Sequence, residues 1–125
     1  VSDPTGPLYV AIVEDDEQVR RALARLLTEV GYDVRTFGSA REFMNTLPGL
    51  APACLVLDAH LPDASGLAVL RRLRRDGHRS GVVFITADTE LAASDQMHRS
   101  GAPCLCKPLD VEALVGAINN VMQSV

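Results

Sequence analysis

Four short apolar runs, Tyr9–Val13, Cys54–Leu57, Val82–Ile85 and Cys104–Cys106, punctuate the chain. Each is followed at once by a residue of distinct chemistry: Glu14-Asp15-Asp16, Asp58, Thr86 and Lys107-Pro108. Continuous runs this short and this rich in β-branched residues predict strands buried on both faces of a parallel sheet. A fifth run, Val34–Phe37, is half polar and suits a sheet edge. Between the strands, apolar residues recur at helical spacing. Val19, Leu23, Leu26, Leu27 and Val30 predict one helical stripe that stops at Gly31, and Leu67, Leu70 and Leu73 predict another that stops at Gly77. Ser39 with Glu42 predicts a capped helix burying Phe43, Met44 and Leu47 and ending at Pro48-Gly49. A helix over Glu90–Ser100 has only Leu91, its alanines and Met97 to bury, which makes it the least anchored. Asp110 caps a last helix with inner face Val111, Leu114, Val115, Ile118 and Met122. Five βα units without a composition break predict one α/β domain with a doubly wound parallel sheet over residues 8–125, after a loose leader at 1–7.

Composition narrows the partners. The net charge of −4 gives no general attraction to nucleic acid or an anionic membrane, and no apolar stretch reaches the length of a membrane span. The basic run Arg71, Arg72, Arg74, Arg75, His78 and Arg79 is interrupted by Leu70 and Leu73 at helical spacing. It reads as the solvated face of an amphipathic helix rather than a nucleic-acid site. Three cysteines, all inside apolar runs, predict reduced, buried thiols in a cytoplasmic protein. Lys107 is the only lysine among 12 basic residues, the rest being arginine. That choice points to a site needing a compact ammonium, because the two side chains are not interchangeable.

In open parallel sheets, ligands bind beyond the carboxyl ends of the strands, so the four strand-end motifs converge on one edge. Glu14 and Asp15 are unfavourable neighbours unless a cation shields them, and magnesium accepts one or two carboxylates plus waters and phosphate oxygens. Asp58 lies some eight residues before the next helix, too far to cap it. A carboxylate there can attack phosphorus to give a readily hydrolysed acyl phosphate. The Thr86 hydroxyl can donate to one phosphoryl oxygen and the Lys107 ammonium can pair with another.

Read together, IVEDDEQVR, LVLDAHLPDASG, FITAD and CKPLD resemble the four ordered motifs of two-component response-regulator receiver domains, over residues 8 to 124. The resemblance implies a flavodoxin-like (βα)5 fold with strand order 2-1-3-4-5. It implies that Asp58 is the phospho-acceptor, Thr86 the switch hydroxyl and Lys107 the phosphate-binding lysine. Magnesium would be held by Asp15, Asp58 and the backbone carbonyl of His60, with Glu14 acting through water. The implied donor is a phosphohistidine on a sensor histidine kinase. The resemblance extends to the branch that precedes helix-turn-helix output domains, implying a C-terminal DNA-binding domain outside this chain. It also implies a homodimer face formed by the fourth helix, fifth strand and fifth helix.

Two departures set further expectations. Family members usually carry Phe or Tyr three residues before the lysine, where this chain has Cys104 followed by Leu105, and Gly101 to Lys107 is one residue short. The switch signal is therefore expected to run through Leu105 or a shift of the Glu90–Ser100 helix. His60 and Asp88, two positions beyond Asp58 and Thr86, are expected to tune the phosphoryl lifetime. The domain modifies only itself and turns over no metabolite, so it is expected not to be an enzyme. Rival readings are a degenerate receiver used for docking and an aspartyl-phosphate phosphatase, which needs a second Asp where His60 stands. A flavin carrier would need a glycine- and hydroxyl-rich loop where this chain has acids.

Overall fold

Alternation within the strands decides the architecture. In the computed structural model, which describes residues 8–47, 49 and 51–123, the strands are β1 (Val10–Val13), β2 (Val34–Phe37), β3 (Cys54–Asp58), β4 (Gly81–Thr86) and β5 (Cys104–Cys106). All pair in parallel, in the expected order 2-1-3-4-5. Successive strand side chains point to opposite faces, and both faces are buried. Val10, Ile12, Val56, Val83 and Ile85 face one core, while Ala11, Val13, Leu55, Leu57 and Phe84 face the other.

Helices α1 (Glu17–Val30) and α6 (Val111–Gln123) cover the first face with Leu23, Leu27, Leu114 and Ile118. Helices α2 (Ala40–Met44), α3 (Gly66–Arg75), α4 (Thr89–Ala92) and α5 (Asp95–Arg99) lie along the other, where Phe43, Leu67, Leu70, Leu73 and Met97 are buried. Each fully buried Leu or Phe stabilises the fold by about 1.5–3 kcal/mol. The caps follow from sequence: Asp16, Ser39 and Ser65 each accept a backbone N–H from the first turn of the helix they precede, and Asp110 accepts from Glu112 N.

Several expectations need correction. The helix over Glu90–Ser100 is two short helices, because Ser94 breaks it. The Ser94 hydroxyl donates to Leu91 O at 2.7 Å, closing α4, and accepts from Met97 N at 3.1 Å, opening α5. Val30 and Val111 are 50% and 44% exposed rather than inward-facing. They are the last and first residues of their helices, where the buried stripe has turned out of register with the sheet. Cys54 is buried, and burial pushes its thiol up to about 12. Cys104 is half-buried and is pushed up to about 11, first by desolvation and then by Cys106, while Cys106 itself is exposed at the end of the edge strand. The helix expected to run to Pro48-Gly49 ends earlier, at Met44 with Asn45 as its C-cap, so Leu47 lies beyond it in a turn. The leader at 1–7 and Pro48 itself fall outside the described residues.

Candidate functional site

The pairing register brings the strand-end residues level. Val13 pairs with Leu57, so Glu14 emerges beside Asp58; Thr86 pairs with Cys106, so Lys107 follows beside the end of β4. Glu14, Asp58 and Lys107 each follow a residue facing the α2–α5 side, so they share the opposite parity and meet. Lys107 Nζ stands 2.5 Å from Glu14 Oε1 and 3.4 Å from Asp58 Oδ2. Burial by itself would lower the Lys107 pKa, but the Glu14 hydrogen bond and the Asp58 and Glu14 charges outweigh it and hold it above 10.5. Lys107 precedes Pro108 through a cis peptide bond, and its N–H donates to Thr86 O at 2.8 Å.

Small geometric details hold Asp58 in place. The His60 N–H donates to Asp58 Oδ1 at 2.9 Å, and the Ala59 carbonyl accepts from Gly66 N at 2.8 Å. Gly66 is required there. A Cβ on it would stand 2.9 Å from the Asp58 carbonyl oxygen and 2.9 Å from the Phe84 ring, so no larger residue lets α3 start this close to β3. Glu14 is fully buried and accepts from Asp16 N at 3.1 Å through Oε2, while Arg20 Nη1 donates to its carbonyl at 2.8 Å.

The acids fit a hard divalent cation. One carboxylate oxygen from each of Glu14, Asp15 and Asp58 lies within 4.8 Å of the others, and only oxygen donors are offered. Three negative charges share one ammonium, leaving two unbalanced. A cation removes that repulsion without displacing Lys107 from the site.

A second chain of hydrogen bonds runs from Asp58 to α4. The His60 ring nitrogen Nε2 lies 3.2 Å from Asp88 Oδ2, so the ring faces Asp88 rather than the carboxylate cluster. Asp88 N donates to Thr86 Oγ1 at 3.0 Å, and Asp88 Oδ1 accepts from Leu91 N at 3.1 Å, capping α4. That cap and then the His60 hydrogen bond hold the Asp88 carboxyl below its usual range.

Not every expected residue joins this set. Thr86 follows the parity of Phe84 and faces the α2–α5 side. Leu105 packs into the α1–α6 core on the opposite face of the sheet, and only Cys104 packs on the Thr86 side. Asp63, which sequence reasoning passed over, accepts from Ala40 N and Arg41 N and so ties the loop after Asp58 to α2; those two N–H groups hold its carboxyl below the usual range. Nothing in the local pattern at Asp63 signals a partner more than twenty residues away.

Known proteins share this plan. The family model for the response regulator receiver domain matches residues 10–119. The chain is 35% identical over 124 residues to the response regulator protein TmoT of Ectopseudomonas mendocina, covering 98% of this chain and 56% of that one. It is 31% identical over 112 residues to the DNA-binding transcriptional regulator NtrC of Klebsiella pneumoniae, covering 89% of this chain and 24% of that one. A crystal structure of a response regulator receiver protein from Burkholderia phymatum superposes with a TM-score of 0.79 at 32% identity, covering 93% and 95% of the two chains. The chain thus spans about half the length of TmoT and a quarter of NtrC. Among the described residues, no helix is long and apolar enough to cross a membrane.

Proposed function

The chain belongs to the response-regulator receiver-domain family, and on that premise we propose that Asp58 accepts a phosphoryl group from a phosphohistidine on a sensor histidine kinase. The observation that carries this reading is the contact of Lys107 with both Glu14 and Asp58, made by residues far apart in the chain. A carboxylate oxygen of Asp58 attacks phosphorus. The P–N bond breaks, its electron pair stays on the imidazole nitrogen, which takes a proton from solvent, and an acyl phosphate remains on Asp58. Hydrolysis returns the carboxylate and inorganic phosphate.

Each neighbour has a task. The His60 N–H fixes one Asp58 oxygen, which leaves the other to react. Lys107 transfers its ammonium from the carboxylates to a phosphoryl oxygen, stabilising charge where it accumulates. Thr86 Oγ1 already accepts from Asp88 N, so its own proton is available to a second phosphoryl oxygen. Asp15, Asp58 and the backbone carbonyl of His60 would hold magnesium, with Glu14 acting through water. When bound, that ion supplies the positive charge that keeps the carboxylates ionised beside an incoming anion.

The output travels by a route chosen by parity. Thr86 must turn to meet the phosphoryl group, and the residue hung on its hydroxyl is Asp88, the cap of α4. Turning Thr86 therefore loosens or re-aims α4 and α5, while Leu105, behind the sheet, is not on the path. His60 and Asp88 together also shield the mouth of the site from attacking water. In this reading the domain is a cytoplasmic switch rather than an enzyme. It controls a DNA-binding output domain of the kind NtrC is named for, through the surface of α4, α5, β5 and α6, which also serves a homodimer.

The test is intact-mass spectrometry after incubation with acetyl phosphate and magnesium. Wild type should gain the mass of one phosphoryl group and lose it on standing, and Asp58→Asn should gain none. A gain of equal size in Asp58→Asn would overturn the assignment. Phosphorylation with no change in the amide chemical shifts of residues 87–106 would favour the docking-only alternative.

A further inference from the structure

Two adjoining surface grooves run between α3, α5 and the start of β4, away from the phosphoryl site. The first, about 380 Å³, has Leu67 and Leu70 on its floor and Arg71, Arg74 and Arg99 on its walls. The second shares Arg74 and Ser100 with it and continues past His78 and Arg79 to Val121. Together they form one channel walled by four arginines. Among the described residues, no carboxylate lines it, in a chain that carries 16 acids and a net charge of −4.

These guanidiniums are not neutralised from within. Among the described residues, none of the four lies within ion-pair distance of an acid, and Asp76 pairs with Arg72. Arg74 and Arg99 donate only to backbone carbonyls, those of His78 and Asp95. The hydroxyls at the rim are already donating, Ser80 to Pro52 O and Ser100 to Met97 O. Beside the Gln96 amide and the His78 ring, the channel therefore offers an incoming group mainly planar cationic forks over the Leu67 and Leu70 floor. Arg74, in the last turn of α3, and Arg99, the last residue of α5, each sit where a cation favours a helix C-terminus. Arg71 lies before the last turn of α3, yet its side chain lines the same groove as theirs.

We propose that this channel docks an acidic amphipathic segment of a partner protein, its carboxylates paired by Arg71, Arg74 and Arg99 and an apolar side chain seated on Leu67 and Leu70. Arginine matches carboxylates in bidentate fashion, and charge complementarity of this kind sets register and specificity. A single-stranded nucleic acid fits less well, because among the described residues no Phe, Tyr or Trp lines the channel to stack a base and His78 is its one aromatic ring. The inference does not depend on Asp58 accepting a phosphoryl group.

The test is fluorescence anisotropy on the intact chain with a labelled helical peptide that places Glu residues on both sides of a Leu. The comparison probes are the same peptide with every Glu changed to Gln, a short single-stranded DNA and a short duplex. The acidic peptide should bind saturably, weaken with added salt and outcompete the Gln version. Replacing Arg71, Arg74 and Arg99 with Ala should weaken it about tenfold or more. Replacing exposed Arg21 and Arg25 on α1 should leave it unchanged, and Arg→Lys at the three positions should recover only part of the loss. Failure to prefer Glu over Gln, or equal losses from the α1 pair, would overturn the proposal. Tighter binding of either DNA would give the channel to nucleic acid instead.

Discussion

Lys107 carries the sharpest consequences of any single residue. Its ammonium is the cation that Glu14 and Asp58 share, and Glu14 is 1% exposed at its side chain. Lys107→Met leaves a buried carboxylate facing two others. In metal-free buffer the stability should fall by about 2 kcal/mol, less than for a fully buried pair because the Lys107 side chain keeps 23% exposure. Asp58→Asn should act in the opposite sense. It removes one of three like charges while Lys107 keeps Glu14, so stability without metal should rise by about 1 kcal/mol. Urea unfolding of the two variants checks both signs, and equal shifts in the same direction would contradict the charge account. Alkaline pH supplies an independent check. The folded-state pKa of Lys107 is raised above 10.5, so its contribution is fully present below that value and is lost as pH rises through the higher one. Unfolding curves taken on either side of pH 10.5 should therefore converge for wild type and Lys107→Met at the alkaline end. A constant gap would exclude the effect.

Among the elements, α3 and α4 are set by one residue each. Gly66→Ala should improve helix propensity by about 1 kcal/mol, yet the new Cβ meets the Asp58 carbonyl oxygen and the Phe84 ring at 2.9 Å. Overpacking against backbone wins, and a net loss of about 1–3 kcal/mol is expected, with slower phosphorylation because the Asp58 end of β3 must shift. Asp88 holds α4 through its cap and holds Thr86 through its N–H. Asp88→Ala should abolish the phosphorylation-dependent amide shifts in residues 89–99, whereas Asp88→Asn, which can still cap, should keep part of them. Retention of the full wild-type shift pattern in Asp88→Ala would remove Asp88 from the signal path. The two-helix break at Ser94 was not legible beforehand, because a serine inside a weakly apolar stretch reads as an ordinary solvent-facing position. Its hydroxyl becomes a cap only because Leu91 and Met97 both turn toward the same core.

Over the whole molecule, what could be read in advance follows from where the physics is local. Strands buried on both faces need unbroken apolar runs, so β1, β3 and β4 and the residues at their ends were visible in the chain. Parallel order then made convergence of Glu14, Asp58 and Lys107 a matter of topology, whereas the side of the sheet that Thr86 faces depends on its parity along β4. Contacts that depend on how loops settle over the sheet left no such trace. The His60–Asp88 pair and the Asp63 contacts with α2 each join segments more than twenty residues apart and carry no periodic signal. The position of Leu105 shows the limit from the other side. Counting alternation along β5 against Phe84 and Thr86 separates it from the hydroxyl, but only once the register of β4 with β5 is known.

The convergence of distant strand ends on one acceptor is tested most directly by chemical trapping of the modified residue. After exposure to acetyl phosphate and magnesium, borohydride reduction converts an aspartyl phosphate to homoserine, and peptide sequencing by tandem mass spectrometry locates it. The account predicts homoserine at position 58, strongly diminished when magnesium is chelated or when Lys107 is replaced by Met. Homoserine at another aspartate, or none at all while the protein is folded and saturated with magnesium, would contradict it.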